Sequence, residues 1–210
     1  MSAQPSASDL PRVVVFDLGG VLVDWNPRYL LARLIPDPEA LERALAEAIN
    51  QPFLLSLDIA RDSGHPMRAA MIRRPGHAAL YEAYVTRFQE TIQGGIEPMV
   101  GAARRLHDAG VPLHGLTNWA ADTFAATRAR LPFLSLFRDI VVSGEEGVIK
   151  PDPAIFDILF RRGGFTAADA VFVDDSEKNC IGARAVGLRA IHHRTPDETI
   201  AALRALGLPA

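Results

Sequence analysis

Cysteine is nearly missing: Cys180 is the one thiol in 210 residues, so no disulfide can form within the chain. That scarcity fits a reducing compartment, and the cytoplasm is the expected location. Long apolar runs are missing too. The stretch from Val13 to Val23 is broken by Asp17 and by Gly19-Gly20, and it is too short to span a bilayer, so no membrane partner is expected. Residues Met1 to Ser8 lack a basic region followed by an apolar one and read as a floppy leader, not a secretion signal. Neither sign of charge is in large excess, because the formal net charge is −3. A broad basic surface is thereby excluded, and nucleic acid is not an expected partner. A few local donors can still bind a phosphate inside such a shell. No internal repeat is present, and oligomeric state leaves no mark in the pattern.

What is present describes a globular protein. Apolar residues make up 49% of the chain and charged residues 22%, enough to bury a sizeable core. The length suits one domain or a core with a modest insert. Near-continuous apolar runs occur at 12–18, 111–116, 139–143, 170–174 and 188–192, as expected for strands buried on both faces. Helical spacing lies between the later ones, at 99–109, 122–130, 153–162, 177–186 and 197–205, with glycine closing several of these stretches. Strands alternating with helices predict a doubly wound α/β sheet with its ligand site at the carboxyl ends of the strands. Residues 27–95 interrupt this rhythm with helical stretches at 38–49 and 77–91 and no convincing strand. They read as an all-helical insert after the first strand.

Reactive residues follow four of the strands. Asp17 ends the first and precedes Gly19-Gly20. A carboxylate there can attack an electrophile, hold a metal, or simply cap a turn. Thr117 and Asn118 stand where a strand runs into a helix, a place suited to an oxyanion or to an ordinary helix cap. Lys150 precedes Pro151 and a helix; it can neutralise a phosphate or lie solvated at the surface. Asp174 and Asp175 end a buried strand together. Adjacent like charges are costly there unless a cation joins them, and Mg²⁺ favours such carboxylates.

These residues, in this order, resemble the four motifs of the haloacid dehalogenase superfamily. Asp17 matches the nucleophile of the first motif, Thr117 the hydroxyl of the second, Lys150 the lysine of the third, and Asp174-Asp175 the acidic pair of the fourth. The resemblance implies a Rossmann-like sheet of order 5-4-1-2-3. It also implies a helical cap at 27–95, with 1–26 and 96–210 forming the core. It further implies a Mg²⁺-dependent phosphatase in which Asp17 attacks a small phosphorylated substrate to give an aspartyl-phosphate. The ion would be held by Asp17, the Gly19 carbonyl and Asp175, with Asp174 close by. Thr117, the amides around Asn118, and Lys150 would hold the phosphoryl group.

One position departs from the pattern. Family phosphatases usually carry a second aspartate two residues after the nucleophile, to protonate the leaving group, and Gly19 occupies that position here. Asp24, His65 and His77 are candidate substitutes. Motif I also resembles that of bacterial glucose-1-phosphate phosphatases, whose leaving group needs less help, so a sugar 1-phosphate or another activated monoester is an expected substrate. Two alternatives stand beside this reading. One is a metal-free 2-haloacid dehalogenase, with Trp25, Trp119 and Arg28 around the substrate, although dehalogenases usually have an aromatic residue at the Gly19 position and small neutral residues in place of the acidic pair. The other is a catalytically silent binding module. Arg28, Arg61, Arg68, Arg73 and Arg74 are candidate substrate contacts, Gly94-Gly95 a candidate hinge, and Cys180 a buried small residue.

Overall fold

The computed structural model describes residues 10–210; the leader read at 1–8 lies outside the described residues. The chain opens with β1 (Val13–Phe16) and β2 (Val23–Trp25). Helices α1 (Arg28–Leu34), α2 (Pro38–Glu47), α3 (Gln51–Asp58), α4 (Gly64–Arg73) and α5 (Ala78–Thr86) follow, then β3 (Ile92–Gly95). The remainder alternates: α6 (Glu97–Asp108), β4 (Leu113–Thr117), α7 (Ala121–Arg128), β5 (Asp139–Val142), α8 (Ser143–Glu146) and α9 (Pro153–Gly163). It ends with β6 (Ala170–Asp174), α10 (Glu177–Ala185), β7 (Arg189–His192) and α11 (Pro196–Ala205). None of the described helices is long and apolar enough to cross a membrane.

The main sheet is parallel, in the order β5-β4-β1-β6-β7. Its labels differ from the expected 5-4-1-2-3 because β2 and β3 stand apart as a second sheet. Numbered without that pair, the main strands run 3-2-1-4-5, the expected set of neighbours read from the opposite edge. All four residues of β1 are buried, and successive ones point to opposite faces. Val14 and Phe16 pack with Met99 and Leu106 of α6 and Leu203 of α11. Val13 and Val15 pack on the other side with Ile155, Phe156 and Leu159 of α9 and Ala183 of α10. Helices on both faces thus cover the apolar strands, as a parallel sheet requires.

Local chemistry sets the ends of these helices. Asp152 caps α9 by accepting from Ala154 N at 2.9 Å, Pro153 occupies the first turn, and Gly164 closes the helix in the left-handed conformation at φ 67°. Thr195 caps α11 through Glu198 N at 3.3 Å.

Residues 27–95 are not wholly helical. Ile92–Gly95 forms β3, antiparallel to Val23–Trp25, with a register shift between Asp24 and Trp25. Ile92-Gln93-Gly94-Gly95 has no apolar alternation to betray a strand, and Gly94 adopts φ 130°, which side chains resist. The pairing depends on a partner that is more than sixty residues away.

Helices α1 and α3–α5 enclose a core of their own around Leu31, Phe53, Leu57, Ala70, Tyr81 and Tyr84. This unit is fastened to the sheet domain through the segment after α3. Ser143 Oγ donates to the Asp58 carbonyl, Ala121 N donates to Ala60 O at 3.0 Å, and Arg61 reaches Glu145 O at 2.8 Å. Ser63 Oγ donates to Asp122 at 2.6 Å. Gly144 permits this approach, since a Cβ there would lie 2.5 Å from both Ala121 N and Ala60 O. Gly144→Ala must therefore push backbone apart. Its expected cost is about 1–3 kcal/mol, read as a Tm drop on the order of 2–12 °C by differential scanning calorimetry. An unchanged Tm would show that the approach is looser than drawn.

Candidate active site

The carboxyl ends of β1, β4 and β6 meet at one point, and the residues expected to carry chemistry stand there. Asp17 follows β1 directly, with its N–H donated to Val173 O at 2.8 Å. Beyond it the chain turns sharply: Leu18 O accepts from Leu22 N at 2.8 Å and Val23 N at 2.7 Å, and Gly20 adopts φ 76°. A Cβ on Gly20 would lie 2.5 Å from Asp175 Oδ2, so the turn must be bare for the second acidic side chain to rest against it. Asp174 is fully buried and Asp175 is exposed.

Lys150 joins these groups. It is 2% exposed, and Nζ lies 2.9 Å from Asp17 Oδ1, 2.8 Å from Asp174 Oδ2 and 2.8 Å from Leu116 O. Three donors thus meet three acceptors. Asn118 sets the height of the lysine: its Oδ1 accepts from Lys150 N at 2.8 Å and its Nδ2 donates to Lys150 O at 3.1 Å. Asp174 is anchored in turn by Ser176 N at 2.7 Å and Asn179 Nδ2 at 3.1 Å.

The balance of charge is lopsided. Burial pushes the Asp17 carboxyl well above the usual carboxylate range, and the charges of Asp174 and Asp175 add to this while Lys150 opposes it. Burial likewise raises Asp175, with Asp174 contributing. For Lys150, burial disfavours the ammonium, but Asp17 and Asp174 outweigh it and hold the group above its ordinary value. Oxygens of Asp17, Asp174 and Asp175 lie within 4.8 Å of one another, spacing that suits a divalent cation.

A cavity of about 310 Å³ opens over this cluster. Its floor is formed by Asp17, Gly19, Thr117, Asn118, Lys150 and Asp175. Its far wall comes from Trp25, Leu54, Leu57, Tyr84, Phe88 and Trp119, together with Asp58. Asp17, Gly19, Thr117, Asn118, Lys150 and Asp175 are therefore brought to one cavity as expected, and Asp174 lies behind it, bonded to Lys150.

A family model for haloacid dehalogenase-like hydrolases matches residues 11–187. The chain belongs to that family. This hydrolase resembles a sesquiterpene phosphatase from Aspergillus oryzae, at 29% identity over 86% of this chain and 89% of the relative. It also resembles a phosphoglycolate phosphatase from Pseudomonas savastanoi, at 28% identity over 88% of this chain and 70% of the relative. The fold recurs in a HAD-like hydrolase from Porphyromonas gingivalis, with TM-score 0.74 and 22% identity over 94% of this chain and 98% of that one. It recurs in a HAD family enzyme from Bacteroides thetaiotaomicron solved with magnesium and inorganic phosphate (TM-score 0.66, 16% identity, 88% of this chain and 94% of that one). An L-2-haloacid dehalogenase from Xanthobacter autotrophicus shares it equally (TM-score 0.66, 19% identity, 96% and 85%). The fold alone therefore leaves the hydrolase's chemistry to its own residues.

Other candidates are placed elsewhere. Asp24 accepts from Tyr29 Oη at 2.8 Å, His77 lies 3.5 Å from Glu47, and His65 is exposed; none lines the cavity. The five arginines do not line it either. Arg28 forks onto Glu42 at 2.8–3.2 Å, Arg68 lies 3.5 Å from Asp62, and Arg74 donates to Glu47 O. Cys180 is buried, and burial raises its thiol to about 11, which suits an unreactive core residue. Asp58, Tyr84 and Phe88 were not expected at the site. Asp58 carried the one available signal, an acid within the run 53–59 that is apolar but for Ser56.

Lys150→Ala would leave Asp17 and Asp174 as neighbouring buried charges. Its expected cost is about 3–5 kcal/mol in urea unfolding at neutral pH. A loss under about 1 kcal/mol would mean that the carboxylates are already neutralised by other means.

Proposed function

We propose that the hydrolase is a Mg²⁺-dependent phosphomonoesterase in which Asp17 is the nucleophile. The observation that carries this reading is the pairing of one buried ammonium with three clustered carboxylates, a surplus of negative charge that a divalent cation would neutralise. Asp17, the Gly19 carbonyl and Asp175 would hold the ion. Asp174, whose oxygens already accept from Lys150, Ser176 and Asn179, would contribute charge and orientation beside them. Bound there, Mg²⁺ supplies positive charge against the phosphoryl oxygens and relieves repulsion between Asp17 and an anionic substrate.

The chain's own residues do the rest. Asp17 attacks phosphorus to give an aspartyl-phosphate, and water then attacks that phosphorus and frees Asp17. Lys150 favours the ionised form of Asp17 against the burial that opposes it and aims the carboxylate, and with Thr117 and the amides around Asn118 it holds the transferring group. Such a transition state requires mainly positioning and charge neutralisation. Residues 27–95 act as the cap over a core formed by the described residues of 1–26 together with 96–210, and Leu54, Leu57, Tyr84 and Phe88 of the cavity wall belong to that cap. The similarity to two phosphatases supports the reading.

The aromatic and aliphatic side chains of the wall favour a small substrate with a hydrophobic portion, beside which Gln51, Ser63 and Thr123 also line the cavity. A sugar 1-phosphate, the expectation drawn from Gly19, presents hydroxyls to which Leu54, Leu57 and Phe88 offer nothing. The dehalogenase reading leaves the acidic cluster without purpose, and the silent-module reading leaves the whole set of groups without one. A cytoplasmic location fits the single buried thiol.

Phosphate release from p-nitrophenyl phosphate is expected to stop with EDTA and to fall by roughly 10⁴-fold or more in Asp17→Asn. Among alternatives, short alkyl or prenyl phosphates should be turned over faster than glucose 1-phosphate. Metal-independent halide release from 2-chloropropionate, with no phosphate release, would overturn the proposal.

A further inference from the structure

The position two residues after Asp17 has no side chain, yet an alkoxide leaving group needs a proton. Three carboxyl groups line the cavity: Asp17, Asp58 and Asp175. The first is the proposed nucleophile and the third belongs to the proposed cation site, which leaves Asp58 without an assignment. Resting on the phosphatase reading, we propose that Asp58, carried by the cap, is the general acid that protonates the leaving oxygen and then the base that activates water.

The placement is built into the structure. Asp58 ends α3, and its backbone carbonyl accepts from Ser143 Oγ. The same hydroxyl oxygen accepts from Trp119 N at 2.8 Å, so one serine ties the acid's backbone to the loop that follows Thr117 and Asn118. Ala121 N to Ala60 O at 3.0 Å and Ser63 to Asp122 at 2.6 Å hold the next residues against the same loop and α7. The acid is thereby registered to the phosphoryl-binding floor even though it comes from a different part of the chain.

Its surroundings suit the task. Leu54 and Leu57 of α3, Tyr84 of α5 and Trp119 share the cavity wall with it. Burial pushes the Asp58 carboxyl up to about 7, partly opposed by the Lys150 ammonium, so both protonation states are accessible near neutral pH. The other titratable groups facing the cavity are Asp17, Asp175 and Tyr84, and Tyr84 is kept protonated by its own burial and by the charge of Asp58.

The steps balance. As Asp17 bonds to phosphorus, the bond from phosphorus to the alcohol oxygen breaks, its electron pair stays on that oxygen, and the Asp58 proton joins it. The neutral alcohol leaves. Water then attacks phosphorus and gives a proton to the Asp58 carboxylate, the bond to Asp17 breaks with its pair returning to Asp17, and orthophosphate leaves. A substrate with a poor leaving group becomes acceptable, so Gly19 no longer restricts the enzyme to activated esters.

The test compares wild type, Asp58→Asn and Asp58→Glu on p-nitrophenyl phosphate, whose leaving group needs no proton, and on an alkyl phosphate, with Mg²⁺ throughout. Because kcat/KM reports only the steps through transfer of the phosphoryl group to Asp17, Asp58→Asn is expected to lower kcat/KM on the alkyl ester by about 10²–10⁴-fold and on the p-nitrophenyl ester by under about tenfold, while kcat on both esters falls with the loss of the base. Wild-type kcat/KM on the alkyl ester should fall as pH rises above about 7, where Asp58 loses its proton, and this limb should vanish in Asp58→Asn. Asp58→Glu should restore part of the alkyl-ester rate. Equal losses of kcat/KM on both esters, or an unchanged high-pH limb in Asp58→Asn, would overturn this inference while leaving the phosphatase reading standing. No turnover of either ester by the wild type would overturn both.

Discussion

Crowding of negative charge at the ends of two neighbouring strands is the constraint from which the site follows. Asp17 and Asp174 emerge from β1 and β6, which pair in parallel register, and Asp175 comes one residue later. In a parallel sheet covered on both faces, those ends lie beside the core and not in bulk water. Lys150 makes the arrangement tolerable, and much of the neighbourhood serves to hold it: Asn118 grips its backbone and Leu116 O takes its third proton. One ammonium cannot offset three carboxylates, so the site is built to accept more positive charge. A divalent cation held there would answer that need and would supply the charge that lets an anionic phosphoryl group approach Asp17.

Residues 27–95 supply what the sheet lacks. A Rossmann-like core ends its strands in polar loops, whereas the substrate's organic part needs a wall. The helical segment provides aromatic and aliphatic side chains from α3 and α5, and the hairpin contributes Trp25. Trp119 Nε1 is buried there without a hydrogen-bond partner, and Trp25 faces the Tyr84 hydroxyl, so the wall carries a few polar atoms among its apolar ones. The junction of this segment with the sheet domain is polar and close, and Gly144 allows it.

Much of this was legible in the amino-acid order. The five strands of the main sheet announced themselves through apolar runs. Asp17, Thr117 and Asp174-Asp175 stand at the carboxyl ends of β1, β4 and β6, so their meeting at one edge follows from topology, while Lys150 joins them from the loop between α8 and α9. Helix α9 was readable from Asp152, Pro153 and Gly164. The strand β3 was not, because Ile92–Gly95 has neither alternation nor β-branched density and exists through its partner β2. Residues of the far wall were harder still. Trp25 and Trp119 were candidates beside a substrate and do line the cavity, but Leu54, Leu57, Tyr84 and Phe88 carried no such mark, and their convergence depends on how α3 and α5 pack. Arg28, His65 and His77 looked eligible because charge and imidazole attract notice, but surface neighbours such as Glu42 and Glu47 satisfy two of them. Asp58 gave the opposite impression, a lone acid closing an apolar helix, and its relevance depends on burial that the order of residues does not show.

The central claim is that Asp17 takes the phosphoryl group onto its own side chain. Acid quenching of the enzyme during turnover of a phosphomonoester, followed by borohydride reduction and peptide mass spectrometry, tests it directly. An acyl phosphate at Asp17 would be reduced to homoserine at position 17 in samples containing Mg²⁺ and substrate, and not in samples lacking either. Steady phosphate release with Asp17 recovered only as aspartate would contradict the account and leave direct attack by water in its place.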